Sequence, residues 1–244
     1  MADRKAGHRK FAVLVDPDDT DVARTAALGR LGAECGVDYF FVGGSLVVGD
    51  QMEEIIKTLK QVCEIPVILF PGSINQVSPS ADALLFLSLI SGRNPDLLIG
   101  QHVLAAPAIK RSGLEVLPTG YMLIDGGAPT TVSYISNTEP IPRNKPQIAG
   151  ATAIAGEMLG LKLIYMDAGS GAKLAIPAQS IATVRSQVDI PIIVGGGIRE
   201  PEAAAAAAQA GADLIVVGNA LETNPALARE ISIAVHSASQ VVSK

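Results

Sequence analysis

Eight short runs of β-branched and aliphatic residues recur along this chain, most of them followed by a turn signal and then by a stretch of helical periodicity. No other feature restricts the fold as much. The runs predict strands at 11–16, 37–42, 66–70, 83–86, 116–124, 162–167, 191–194 and 213–217. Helices are expected at 22–34, 51–61, 95–111, 149–159, 178–187, 202–210 and 225–235. The strands are nearly continuous apolar runs, as in a parallel sheet covered on both faces. The third connection, 71–82, is polar and rich in Pro, Gly and Ser, so no helix is assigned there. The six-alanine run 203–208 lies between Pro201 and Gly211, a helix start and stop, and reads as a helix packed closely on the sheet.

An internal echo favours one closed barrel over two small domains. Residues 36–45 and 211–220 share Gly, Asp, Val and Gly at identical spacing: a helix-ending glycine, a strand and a Gly turn at the strand's C-terminal end. The expected fold is α/β, a single (β/α)8 TIM barrel over residues 1–244 with a polar tail at 1–10. The long stretch 125–145 is read as an irregular loop at the functional face.

Composition removes several functions. With 48% hydrophobic residues and 18% charged, the chain is not disordered. Aromatics are only 4% with no Trp, so a stacking platform for single-stranded nucleic acid is not expected, and a net charge of -5 opposes a duplex partner. Mean hydropathy is high, +0.35. The most apolar stretches, 83–90 and 97–109, are nevertheless too short or are broken by Gly100, Gln101, His102 and Pro107, so no transmembrane segment is expected. The excess apolarity belongs to a core, an interface or a greasy pocket, which makes a homo-oligomer the expectation. No secretory signal is read in the polar, basic residues 1–10, so the expected location is cytoplasmic, with peripheral membrane contact left open. Cys35 and Cys63 are too few for a disulfide framework and are read as reduced, small core residues. His8, His102 and His236 are assigned surface or packing roles.

The C-terminal strand ends carry the chemistry. Three loops have glycine where backbone N–H groups can face an anion: Ala168-Gly-Ser-Gly-Ala172, Gly195-Gly-Gly-Ile-Arg199 and Gly218-Asn219. Successive glycine loops after the last strands of a barrel are a phosphate grip, reinforced by the following helix N-termini. Arg199 is either a cation for that phosphate or a solvated helix-start residue. Asp16-Pro-Asp18 and Gly43-Gly-Ser45 follow strands one and two. Their oxygens suit Mg²⁺, which takes one or two protein ligands and completes its shell with water and phosphate; the alternative is a helix cap or a Pro turn. Tyr165 and Asp167 share one face of strand six. A carboxylate inside an aliphatic barrel is costly unless paired or used, so Asp167 is a candidate base, or else is tied to its own loop's N–H groups.

Together, Val15-Asp-Pro-Asp18, Phe41-Val-Gly-Gly-Ser45, Tyr165-Met-Asp-Ala-Gly-Ser-Gly-Ala172, Val194-Gly-Gly-Gly-Ile-Arg199 and Val216-Val-Gly-Asn219 resemble the geranylgeranylglyceryl phosphate synthases over essentially the whole chain and in the same order. The Ala-Gly-Ser-Gly-Ala loop is most similar to the subgroup also found in some bacteria. The resemblance implies a modified TIM barrel whose third helix is replaced by an irregular segment. It implies Mg²⁺-dependent transfer of a prenyl group from a long-chain isoprenoid diphosphate to the primary hydroxyl of sn-glycerol 1-phosphate, an ether lipid precursor being the product. Carried over by position, Asp16 and Ser45 are the metal ligands. Tyr165, Met166, Asp167, Ala168, Gly169, Ser170, Gly171, Gly196, Gly197, Gly218 and Asn219 bind glycerol phosphate, with Asp167 as the base. Two departures stand out. The family carboxylate after the Tyr is usually Glu, one methylene longer than Asp167, and Leu14 stands where some bacterial members carry Lys. Competing readings are another phosphate-gripping barrel, an isomerase or lyase of biosynthesis, and a non-catalytic metabolite-binding barrel.

Overall fold

A computed structural model describes residues 7–238. Eight strands, β1 (Lys10–Val15), β2 (Tyr39–Val42), β3 (Val67–Leu69), β4 (Ala83–Leu89), β5 (Glu115–Leu123), β6 (Leu163–Asp167), β7 (Ile192–Gly195) and β8 (Leu214–Val217), pair in sequence order and close into a barrel. Every pairing is parallel, including the closing one, where Lys10 stands beside Leu214 and Val13 beside Val217. The helices are α1 (Val22–Cys35), α2 (Met52–Val62), α3 (Gln101–Ser112), α4 (Thr131–Ser136), α5 (Pro146–Met158), α6 (Ala178–Arg185), α7 (Pro201–Gln209), α8 (Asn219–Thr223) and α9 (Leu227–His236).

Strand parity divides the core into two layers. One residue set, including Phe11, Val13, Phe40, Val42, Ile164, Met166, Ile215 and Val217, packs between the strands and the helices. The alternating set, including Ala12, Phe41, Ile68, Leu85, Leu123, Ile193 and Val216, fills the barrel. The interior also gathers Phe70, Tyr121 and Tyr165, so a chain poor in aromatic residues spends four of them in one place. The alanine helix α7 packs as its composition demands, with Ala204, Ala207 and Ala208 buried and no longer side chain to hold it off the sheet.

The structure corrects several boundaries and adds elements. β4 runs three residues beyond the expected end at 86, because Ser88 and Leu89 continue the ladder with β5. The helix expected over 95–111 opens instead with a π-helical turn, Asp96–Gly100, before α3 begins. The stretch 125–145 is not all irregular. It contains α4, made by a reciprocal capping box between Thr130 and Ser133, a local device that leaves no hydrophobic periodicity in so short a helix. The fifth helix starts at Pro146, earlier than 149, since proline fits the first helical turn. Short α8 was not expected either. Between β3 and β4 the chain forms turns and bends without a helix. Cys35 and Cys63 are free and only half-buried, at the margin of the core. No helix of the described residues is long and apolar enough to cross a membrane.

Candidate active site

Two cavities meet at the C-terminal ends of the strands. The polar one, about 350 Å³, is lined by Asp16, Asp18 and Asp19 after β1, Gly43, Gly44 and Ser45 after β2, and Tyr165 and Asp167 on β6. Ser170 and Gly171, Gly196, Gly197 and Arg199, and Gly218, Asn219 and Glu222 complete it from the loops after β6, β7 and β8. The second, about 360 Å³, is an apolar groove between β4, α3 and α4, lined by Leu84, Leu85, Phe86, Leu87, Ala105, Ile109, Val132 and Ile135, with Tyr121 from β5. Gly44, Ser45 and Phe70 line both.

The polar cavity therefore assembles Asp16, Ser45, Tyr165, Asp167, Ser170, Gly171, Gly196, Gly197, Gly218 and Asn219 in one place. Three residues named with them do not line it. Met166 has the opposite parity on β6 and is fully buried in the strand–helix layer. Ala168 and Gly169 spend their N–H groups within the barrel, on Gly195 O of β7 at 3.1 Å and on Asp167 Oδ1 at 2.8 Å. They shape the turn from behind.

The turn after β7 is packed against that loop. Gly196 has φ +80°, and a Cβ there would stand 2.6 Å from Asp167 Oδ1 and 2.7 Å from the backbone nitrogens of Ala168 and Gly169. Only glycine allows this approach. Ser170 Oγ donates to Asn219 Oδ1 at 3.2 Å, fastening the β6 loop to the start of α8. Arg199 Nη2 donates to the carbonyl of Ala172 at 3.0 Å while its side chain lines the cavity, so it serves as a strap between loops and as the cavity's guanidinium.

Carboxylates dominate the arc after β1 and β2, which adjoins the β8 loop where the barrel closes. Asp16 accepts from the N–H of Asp18 at 3.0 Å within its own turn. Its Oδ2 lies 2.7 Å from where a Cβ on Gly44 would stand, so the β1 and β2 turns meet at Asp16. Burial pushes the Asp16 carboxyl up, and Asp19 and Asp18 add to the effect. Asp18 accepts from the N–H groups of Val48 at 2.7 Å and Gly49 at 2.9 Å, which fixes the loop entering α2. Glu222, on the unexpected α8, is also pushed up, by burial first and then by Asp19 and Asp16. Gln76, buried in the helix-free third connection, donates to Gly44 O at 3.0 Å and accepts from Gly72 N at 3.1 Å, so it holds the turn that presents Ser45.

On β6, Asp167 is buried, and burial raises its pKa. Two donors oppose the shift: the Tyr121 hydroxyl on Oδ2 at 2.5 Å and the Gly169 N–H on Oδ1 at 2.8 Å. Asp167 thus lines the cavity and is at the same time tied to its own loop. Tyr165 stacks on Phe70 with ring centroids 5.1 Å apart and planes 7° apart, and Tyr121 lies 5.5 Å from Tyr165. In the groove, His102 meets Phe86 edge-on at 4.5 Å and contacts Ser88 Oγ through Nε2 at 3.2 Å. Burial lowers its pKa, so the ring is a neutral wall. His236 pairs with Asp38 at 2.8 Å on the far, N-terminal side of the barrel. Tyr121, Gln76 and Glu222 were missed because each lies outside the glycine motifs, on a strand face, in an irregular segment and in a short helix.

A closed (β/α)8 barrel with a glycine-lined polar cavity and an adjoining apolar groove has the architecture of the phosphate-gripping barrel enzymes. Comparison narrows the class: residues 4–236 match the PcrB family, and the chain belongs to it. It is 60% identical to the geranylgeranylglyceryl phosphate synthase of Chitinophaga pinensis, over 98% of this chain and 96% of that relative. The synthase of the same name from Korarchaeum cryptofilum is 45% identical, over 90% of each chain. Among solved structures, (S)-3-O-geranylgeranylglyceryl phosphate synthase from Thermoplasma acidophilum in complex with substrate sn-glycerol-1-phosphate superposes with a TM-score of 0.91 at 34% identity, covering 96% of both chains.

Proposed function

We propose that this barrel transfers a geranylgeranyl-type chain from an isoprenoid diphosphate to the primary hydroxyl of sn-glycerol 1-phosphate. One observation carries the reading: a polar, glycine-lined cavity and an apolar groove share a wall at Gly44, Ser45 and Phe70, so an anionic acceptor and a long apolar donor can touch at one point. A phosphate-gripping isomerase has no use for the second cavity.

The acceptor's phosphate is held by the loops after β6, β7 and β8, where Ser170, Gly171, Gly196, Gly197 and Asn219 line the cavity. Its free hydroxyl then points toward β6. Asp167 takes the hydroxyl proton as the oxygen bonds to C1 of the prenyl chain, and the C1–O bond to diphosphate breaks with the electron pair leaving on diphosphate. Phe70 and Tyr165 wall the reacting carbon from one side and keep water from intercepting it.

The arc after β1 and β2 fits a divalent cation. Five carboxylates, Asp16, Asp18, Asp19, Asp167 and Glu222, line the polar cavity against one guanidinium, an inventory that would repel two phosphorylated substrates unless a cation entered with them. Among the described residues no three His, Cys, Asp or Glu side chains form a metal cage, so the protein would offer an ion only a few oxygens and leave the rest of its shell to water and phosphate. Asp16 and Ser45 would hold Mg²⁺. Bound there, the ion would neutralise charge on the departing diphosphate. Leu14 supplies no charge, so besides the ion the cavity would offer the diphosphate only Arg199.

The test is product mass spectrometry after incubation with sn-glycerol 1-phosphate, Mg²⁺ and a ladder of prenyl diphosphates. An ether-linked prenylglyceryl phosphate is expected. Absence of product with every donor, under conditions where the acceptor binds, would overturn the reading.

A further inference from the structure

Tyr121 plays no part in gripping phosphate or metal, yet its side chain spans the boundary between the two cavities. The ring lines the apolar groove, and the hydroxyl crosses to the polar side to donate to Asp167 Oδ2 at 2.5 Å. β5 and β6 pair in register with Tyr121 beside Tyr165 and Leu123 beside Asp167, so the bond runs diagonally between neighbouring strands inside the barrel. With Gly169 N–H on Oδ1, the carboxylate has one donor on each oxygen, from two different elements. Two such donors fix the plane of the group and leave a lone pair on each oxygen for an incoming hydroxyl.

We propose that Tyr121 is a positioning residue for prenyl transfer, holding the carboxylate of Asp167 at the head of the groove so that the base is aligned on the acceptor where the donor chain ends. The inference rests on the reading of Asp167 as the base. Packing alone does not account for Tyr121. A phenylalanine would fill the same wall beside Phe70 and Tyr165, and the hydroxyl adds only the bond to Asp167. The groups facing that carboxylate are Tyr121 from β5, Tyr165 on its own strand and the Gly169 N–H. The other charged groups of the cavity are Asp16, Asp18, Asp19, Glu222 and Arg199. Of these neighbours, Tyr121 and Gly169 favour the ionised carboxylate against the effect of burial. Removing the hydroxyl thus both frees the carboxylate to rotate and lets it take up a proton at higher pH.

Tyr121→Phe keeps the ring and tests the hydroxyl. The expected result is a kcat lowered by about 10- to 100-fold with an unchanged KM for glycerol phosphate, and an acidic limb of the kcat/KM profile moved up by roughly one pH unit. Ionisation of the substrates is common to both proteins and cancels in the comparison. Because Tyr121 acts through Asp167, Tyr121→Phe should change kcat little further in an Asp167→Asn background. Site-specific 3-fluorotyrosine at 121, a stronger donor of nearly the same size, should move the acidic limb the other way and reports even if the phenylalanine variant folds poorly. If Asp167→Asn turns over near normally, the base reading fails and this inference with it. If Asp167→Asn is inactive while both changes at 121 leave kcat and the acidic limb in place, the base stands and Tyr121 is only groove wall.

Discussion

Alanine at Gly196 and alanine at Gly171 ask the same backbone conformation to tolerate a Cβ in two different surroundings. The glycines have φ of +80° and +81°. Each substitution therefore carries the same left-handed penalty, about 1–2 kcal/mol. They differ in space. At Gly171 a Cβ meets nothing within 4 Å, whereas at Gly196 it stands 2.6 Å from Asp167 Oδ1 and 2.7 Å from two backbone nitrogens. Those atoms cannot yield independently, because Gly169 N–H and Asp167 Oδ1 are bonded to each other at 2.8 Å and Ala168 N–H is bonded to Gly195 O. Making room breaks the Gly169 bond to a buried carboxylate, which adds about 1.5–3 kcal/mol for a charged hydrogen bond. Gly196→Ala is expected to lose about 2.5–5 kcal/mol in urea unfolding and Gly171→Ala about 1–2 kcal/mol. Displacing Asp167 by a fraction of an ångström should also lower kcat about 10²-fold in Gly196→Ala, measured at a temperature where the variant remains folded. Equal stability losses for the two variants would refute the claim that close packing of the β6 and β7 loops, rather than backbone conformation, requires glycine at 196.

Asp16→Ala should abolish Mg²⁺-dependent turnover while calorimetry still detects glycerol phosphate, because Asp16 lies on the β1 turn whereas the glycine loops that face the phosphate follow β6, β7 and β8. Loss of acceptor binding with metal dependence intact would reverse the two arcs. Gln76→Leu leaves the Gly44 carbonyl and the Gly72 N–H without their partner, so urea unfolding should show a loss of about 2–4 kcal/mol, and half-maximal activity should need more Mg²⁺. Asp167→Asn should lower kcat about 10²–10⁴-fold by steady-state kinetics. Its stability is informative too. Burial raises the folded-state pKa of Asp167, so the wild-type carboxyl is easiest to bury below its ordinary pKa, and stability is lost as pH rises from there through the raised value. The stability of the Asn variant relative to wild type should accordingly increase between acidic and neutral pH, and a pH-independent difference would contradict the shift. Leu87→Trp, which fills part of the groove, should shift the product distribution in the donor ladder toward shorter chains.

The barrel was legible because its strands advertise themselves twice: as apolar runs from 11 to 217, and as glycines at their C-terminal ends. What escaped was set by contacts between distant segments or by very local devices. Nothing around Tyr121 marks it until β5 pairs with β6 and brings its hydroxyl to Asp167. Gln76 sits in a stretch whose Pro, Gly and Ser hide a specific clamp on Gly44. Helix α4 depends on a capping box between Thr130 and Ser133, and a six-residue element cannot display a hydrophobic face. Conversely, motif adjacency over-read the β6 segment. Met166 stands between two cavity residues in sequence, and the period of two turns it away from them in space.

The wall at Gly44, Ser45 and Phe70 also shapes what happens after bond formation. On the proposed reaction, acceptor and donor would occupy separate compartments before transfer, and each could depart alone. Afterwards one molecule has its headgroup in one compartment and its tail in the other. Loosening either end leaves it tethered by the second, at an effective concentration of about millimolar, so rebinding competes with escape. A catalyst built this way holds its product more stubbornly than either reactant. Its turnover is then governed by where a greasy tail can go next, and a detergent micelle or lipid vesicle that accepts the tail should accelerate the multiple-turnover rate without altering the first turnover.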